Sequence, residues 1–259
     1  MRGRRLVTTI ASALLLFAAV GIVAAEQNRL AMQFDGKGPV VVFESGQGEA
    51  RGNWREVVEA LAPCCTVVTY DRYGIGESPP LKDPAAPVLA AEVAETLLAA
   101  LHAHGLAEPY ILVGHSLGGL YVQAFARRHP DAVGGLVLVD ASSPLEPEGV
   151  FVSTMPPKPG TVEASEEAGV TPSMAALRSG PQLPPVPLVV IAATDHDDTK
   201  EREDLWQQIQ EDTAALSPNG RLVVAESGHY VQKERPDIVA DAVVDIAAEI
   251  GIEAGVCRP

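Results

Sequence analysis

Basic residues are scarce in this chain of 259 residues: 19 Lys and Arg stand against 34 Asp and Glu, giving a formal net charge of −15. A surface this acidic repels phosphate backbones, which excludes nucleic acid as a partner. There are only three cysteines, Cys64, Cys65 and Cys257. No histidine, cysteine or carboxylate spacing matches a standard metal-ligand pattern, not even around His196 with Asp195, Asp197 and Asp198. A glycine-rich phosphate loop is missing too, so neither metal nor cofactor is expected. No internal repeat is visible. Aromatic residues are few, at 5%, but the chain is 47% hydrophobic and 20% charged, enough for one sizeable core and one domain.

The only long hydrophobic run lies at the start. Arg2, Arg4 and Arg5 precede an apolar stretch from Leu6 to Ala25, with Val23 and Ala25 as the small residues a signal peptidase prefers. Thr8, Thr9 and Ser12 dilute it. Residues 1–25 are therefore expected to be a secretory signal peptide, residues 26–259 the exported domain, and membrane contact to arise only if the leader stays uncleaved.

From Pro39 onward, short β-branched runs alternate with Ala-rich segments of helical period. This predicts an α/β fold, a mostly parallel sheet with helices on both faces. Strands are expected over residues 40–44, 66–70, 110–113, 136–140, 188–192 and 221–224, and helices over 54–62, 88–104, 120–129, 201–215 and 236–250. Residues 26–39 leave room for one short strand or hairpin, so the first edge of the sheet should be trimmed. Between Asp140 and Leu188 the periodicity fails. Prolines from Pro144 to Pro187 argue against any long helix, and residues 141–187 are expected to form a loop-rich insertion that covers the site poorly and admits bulky groups.

Gly114-His115-Ser116-Leu117-Gly118 follows a strand and opens a helix. Small glycines permit a sharp turn there that lifts a serine hydroxyl clear of the sheet, which makes Ser116 the candidate nucleophile. A serine hydroxyl needs a base, usually an imidazole oriented by a carboxylate. Of six histidines, His229 in Ser227-Gly228-His229-Tyr230 lies between the last strand and the last helix, where a loop hangs over the C-terminal edge of the sheet.

These features together resemble the α/β-hydrolase superfamily over essentially the whole chain after the leader. Residues 114–119 resemble its nucleophile elbow, Asp71-Arg72-Tyr73-Gly74-Ile75-Gly76-Glu77-Ser78 its Asp-Arg-x-Gly-x-Gly-x-Ser segment, and residues 227–231 its histidine loop. Two backbone oxyanion donors follow from the resemblance. Leu117, after the nucleophile, supplies one. The other falls in the loop after the strand at 40–44, where many relatives carry His-Gly and this chain has Ser45-Gly46-Gln47-Gly48, with the Gln47 N–H as the candidate.

The triad acid stays open at this level, because the fold accepts a carboxylate after either of two neighbouring strands. Asp140 ends one; Asp195 and Asp197 follow the next, the more usual place, but without the customary Gly-x-x-Asp spacing. Serine at the nucleophile position argues against the aspartate chemistry of epoxide hydrolases and haloalkane dehalogenases. The implied function is a serine hydrolase acting on a carboxylic ester or related acyl bond of a small or lipid-like molecule. Amidase, peptidase, carbon–carbon hydrolase and cofactor-free haloperoxidase readings share the same residues, and a non-catalytic binding protein would keep the pocket without turnover. In this fold the last helix runs back towards the start of the strand at 66–70, which implies that Cys257 pairs with Cys64 or Cys65.

Overall fold

The computed structural model describes residues 29–151 and 155–251. The expected leader and Cys257 lie outside them. Seven strands form one sheet: β1 (Met32–Gly36), β2 (Val40–Glu44), β3 (Thr66–Tyr70), β4 (Tyr110–His115), β5 (Val133–Val139), β6 (Leu188–Ala193) and β7 (Gly220–Ala225). Their spatial order is β1-β3-β2-β4-β5-β6-β7, with β1 antiparallel to β3 and every other pair parallel. The trimmed first edge is therefore this single five-residue strand.

The helices are α1 (Arg55–Leu61), α2 (Ala90–Ala103), α3 (Leu117–Arg128), α4 (Val162–Ser179), α5 (Lys200–Ala214), α6 (Val231–Glu234) and α7 (Pro236–Glu249). Successive side chains of a strand point to opposite faces. Val41, Phe43, Ile111, Val113, Val137 and Val139 accordingly pack with residues of α1 and α7 on one face, while Val42, Val68, Leu112, Leu136 and Leu138 pack with residues of α2 and α3 on the other. Burial on both faces explains the unbroken apolar runs of the inner strands. β5 begins at Val133, earlier than its apolar run suggests, and Gly135 within it lets α7 come close. A Cβ there would lie 2.3 Å from Ile246 Cγ2.

The chain leaves β2 to form β3 on one side and returns to form β4 on the other. Loops after β2 and β4 thus diverge at the carboxyl ends of adjacent strands, a topological switch point where open α/β sheets bind ligands.

The insertion departs from expectation. Its centre is an 18-residue helix, α4, with Pro172 inside it. Thr161 caps it by accepting the Ala164 N–H at 3.4 Å. An interior proline costs about 3 kcal/mol, and burial of Met174 and Leu177, each worth about 1.5–3 kcal/mol, offsets this. The chain entering α2 docks on the helix as well: Val88 N–H donates to Ser165 O at 2.8 Å and Ala90 N–H to Ser173 Oγ at 2.9 Å. Ser165, Gly169 and Ser173 are small, so this buried stripe carries no apolar period.

Cys64 is disulfide-bonded, and Cys65 is a free, buried thiol that burial raises to about 11. Among the described residues no helix is long and apolar enough to cross a membrane.

Candidate active site

Ser116 sits between β4 and α3 with φ 51° and ψ −125°. This is a costly conformation for a residue with a side chain, held only where the surroundings over-determine it. The glycines around it are sterically required. A Cβ on Gly114 would lie 2.6 Å from Gly118 O, and one on Gly118 would lie 2.4 Å from Glu44 O. Ser116 N–H donates to Val139 O at 3.1 Å, and its carbonyl accepts the N–H groups of Gly119 and Ser142 at 2.9 Å each. The turn is thereby tied to the end of β5.

Asp140 follows β5 and is fully buried. Its Oδ2 accepts from His229 Nδ1 at 2.6 Å and from His196 Nε2 at 2.7 Å. Its Oδ1 accepts Trp206 Nε1–H at 2.7 Å and Ala193 N–H at 3.0 Å. Burial alone would raise this carboxyl, but the hydrogen bonds and charges of the two histidines hold it below the ordinary carboxylate range. Asp195 and Asp197 are exposed; Asp195 Oδ1 accepts the Asp197 N–H at 3.2 Å and is not among the partners of His229.

His196 is bound at both ring nitrogens, with Glu203 Oε2 2.7 Å from Nδ1. Burial pulls its pKa down, yet the hydrogen bond and charge of Asp140, then those of Glu203, raise it to about 9. It is therefore an imidazolium at neutral pH. The sequence reading grouped it with an acidic surface cluster; its partner Asp140 lies 56 residues away, and no local spacing reveals the pair. His115 supports the histidine loop, its Nε2 lying 3.0 Å from His229 O.

A cavity of about 260 Å³ opens between these elements, with Ser116, Ser142, Glu146, His196, Trp206 and His229 among its walls. Glu146 and Phe151 bring the insertion into the cavity wall. Burial pushes the Glu146 carboxyl up to about 7, against hydrogen bonds from the Ser143 N–H and the Ser142 side chain. A second cavity of about 260 Å³ lies beside Arg72, but neither serine nor histidine lines it. Asp140, His196 and His229 also offer ligating atoms within 4.8 Å of one another. Their donor atoms are already matched to each other in short hydrogen bonds, so the set reads as a proton-bearing network.

The loop after β2 runs beside the elbow. Ser45 Oγ accepts Trp54 Nε1–H at 3.0 Å and Gln47 Nε2–H donates to Glu163 O at 2.8 Å. Among the described residues, no protein acceptor takes the backbone N–H of Gln47 or of Leu117. The structure thus brings together Ser116, His229 and Asp140, and leaves Asp195 outside.

A family model described as alpha/beta hydrolase fold matches residues 39–165. The uncharacterized protein YqjL of Bacillus subtilis (strain 168) is 26% identical over 214 residues, covering 81% of this chain and 83% of that protein. A thermophilic esterase from Thermogutta terrifontis superposes with a TM-score of 0.70 at 22% identity, over 85% of this chain and 93% of its own. A hydrolase from Pseudomonas aeruginosa PA01 superposes with a TM-score of 0.63 at 23% identity, over 84% and 93%. At these identities the solved structures speak for the fold.

Proposed function

Since the chain belongs to the α/β-hydrolase superfamily, we propose that it is an exported serine hydrolase that cleaves a carboxylic ester or related acyl bond of a small molecule. One observation carries this reading: a strained Ser116 shares a cavity with His229, whose Nδ1 is 2.6 Å from the buried Asp140. With Nδ1–H donated to the carboxylate, the lone pair of His229 resides on Nε2, the nitrogen that accepts a proton.

Ser116 Oγ then attacks the acyl carbon as His229 Nε2 takes its proton, and the carbonyl oxygen becomes an oxyanion between the Leu117 and Gln47 N–H groups. Collapse expels the alcohol, which leaves with the proton from His229. Water, deprotonated by the same imidazole, attacks the acyl-enzyme, and the second collapse frees the acid and restores Ser116. Each oxyanion donor is worth about 3 kcal/mol of barrier. Asp140 stays ionised throughout and stabilises the imidazolium.

A fluorophosphonate probe tests the reading. Covalent labelling at Ser116, lost on prior denaturation, is the expected result; a folded wild-type protein that resists the probe would point to a binding protein with an inert pocket.

His196 gives this site a pH dependence of its own. Its Nε2 meets the same Asp140 oxygen as His229 Nδ1. The carboxylates of Glu203 and Asp198 and the Arg202 guanidinium also face this corner of the cavity. His196→Gln removes this titration and tests it through stability. A folded pKa raised to about 9 from 6.5 stabilises the native state fully below 6.5, a contribution lost as pH rises through 9. The melting temperature of wild type should therefore fall more steeply than that of the variant between pH 6.5 and 9. Parallel melting curves would refute the effect.

A further inference from the structure

We infer that Arg72 and Glu166 are positioning residues for the oxyanion loop, so that the insertion helix α4 is a working part of the acyl-transfer site. The inference rests on the proposed role of the Gln47 N–H.

The loop after β2 has no regular structure to fix its amides, yet a backbone donor stabilises an oxyanion only if it is aimed in advance at the place where charge develops. Here the loop is gripped from both sides. Arg72 lies beneath it with 5% of its side chain exposed. Its Nη1 donates to Ser45 O and its Nη2 to Gly46 O, each at 2.7 Å, so one planar guanidinium fixes two successive carbonyls immediately before Gln47. Immediately after it, Gly48 N–H donates to Glu166 Oε2 at 2.7 Å. Gln47 itself is tethered through its side chain to Glu163 O. The two halves are joined, because Arg72 Nε–H donates to Glu166 Oε1 at 2.7 Å. Glu44, at the end of β2, completes the cradle by accepting from Arg72 Nη1 at 2.6 Å and from the Tyr70 hydroxyl.

All four charged or phenolic groups are buried. Buried ion pairs contribute little net stability after desolvation and are often replaceable by apolar residues. What this network does supply is direction: the Ser45 and Gly46 carbonyls and the Gly46 and Gly48 N–H groups all have fixed partners, while among the described residues no protein acceptor takes the Gln47 N–H. Two of the anchors, Glu163 and Glu166, come from α4. The oxyanion hole is therefore assembled by the insertion.

The test uses the full mature chain, after wild-type labelling at Ser116 has established the hydrolase reading. Glu166→Ala is expected to lower kcat on a chromogenic ester roughly a hundredfold, the scale of losing one oxyanion donor, with KM changed less than about threefold. Inhibition by a trifluoromethyl ketone, which adds to Ser116 and forms an oxyanion, should weaken in proportion to kcat/KM. Binding of the ketone's unreactive methylene analogue should hold. Glu166→Gln keeps one oxygen to accept the Gly48 N–H but sets its NH₂ against the Arg72 Nε–H, so its kcat should lie between those of Glu166→Ala and wild type. Arg72→Lys retains charge but cannot fork to two carbonyls, and serves as the second variant if Glu166→Ala fails to fold; it too should lower kcat and spare KM. Folded variants with near-normal kcat overturn the inference. So does equal weakening of the ketone and its methylene analogue, which marks a general structural role. A wild-type protein that is never labelled at Ser116 fails at the earlier step and overturns both readings.

Discussion

Ser116→Ala is expected to abolish turnover, lowering kcat by about a millionfold while leaving the melting temperature nearly unchanged. The size follows from the role proposed for the residue: without Oγ no acyl-enzyme could form, and the loss measured when a serine nucleophile is removed from a triad is about 10⁶ in kcat. At 1.36 kcal/mol per decade this corresponds to about 8 kcal/mol of barrier. The fold has little reason to respond. Position 116 keeps its unusual backbone with Ala, because the conformation is imposed by Gly114, Gly118 and the hydrogen bonds of its own N–H and C=O. Residual catalysis should remain above the rate in water, roughly 10³-fold or more, since the oxyanion donors and cavity survive. Steady-state kinetics on purified protein decide the matter, with mass spectrometry excluding reversion. Near-normal ester hydrolysis by the variant would remove Ser116 from the mechanism.

The reasons some parts were legible in the sequence and others were not are physical. β2 reads as a strand because Val40 to Phe43 are buried on both faces, which demands continuous apolarity. Ser116 and His229 are legible because the turn needs glycines at fixed offsets and the histidine loop must follow the last strand. Helix α4 was hidden for the opposite reason: on its buried side the small Ser165, Gly169 and Ser173, packed by closeness of backbone, interrupt the apolar period that Met174 and Leu177 would otherwise show, and Pro172 reads as a break. The short α6 was missed because it spans four residues. Networks are least legible of all. Arg72 meets Glu166 across 94 positions and His196 meets Asp140 across 56, and no periodicity links residues so far apart. The choice between Asp140 and Asp195 is of this kind, since both stand after neighbouring parallel strands and only three-dimensional distance separates them.

That choice yields the second large effect. Asp140→Asn is expected to lower kcat by about 10⁴, the scale of a triad acid replaced by its amide, whereas Asp195→Asn should leave it within about twofold. The geometry specifies how the amide does harm. Oδ1 of Asp140 accepts two donors, Trp206 Nε1–H at 2.7 Å and Ala193 N–H at 3.0 Å. Neither can donate to an amide NH₂, so the asparagine oxygen must occupy the Oδ1 position and its nitrogen the Oδ2 position. The nitrogen then donates towards His229 Nδ1 and His196 Nε2, which at present lie 2.6 and 2.7 Å from a carboxylate oxygen. His229 is thereby driven to the tautomer with its proton on Nε2, the nitrogen that must be empty to receive the serine proton. His196, retaining Glu203 but losing the Asp140 charge, should titrate below its present value of about 9. Two-dimensional ¹H–¹⁵N spectra of the imidazole nitrogens would report both changes independently of activity. If Asp195→Asn proves to be the crippled variant and Asp140→Asn turns over normally, His229 takes its orientation from the exposed loop and the arrangement proposed around Asp140 is wrong.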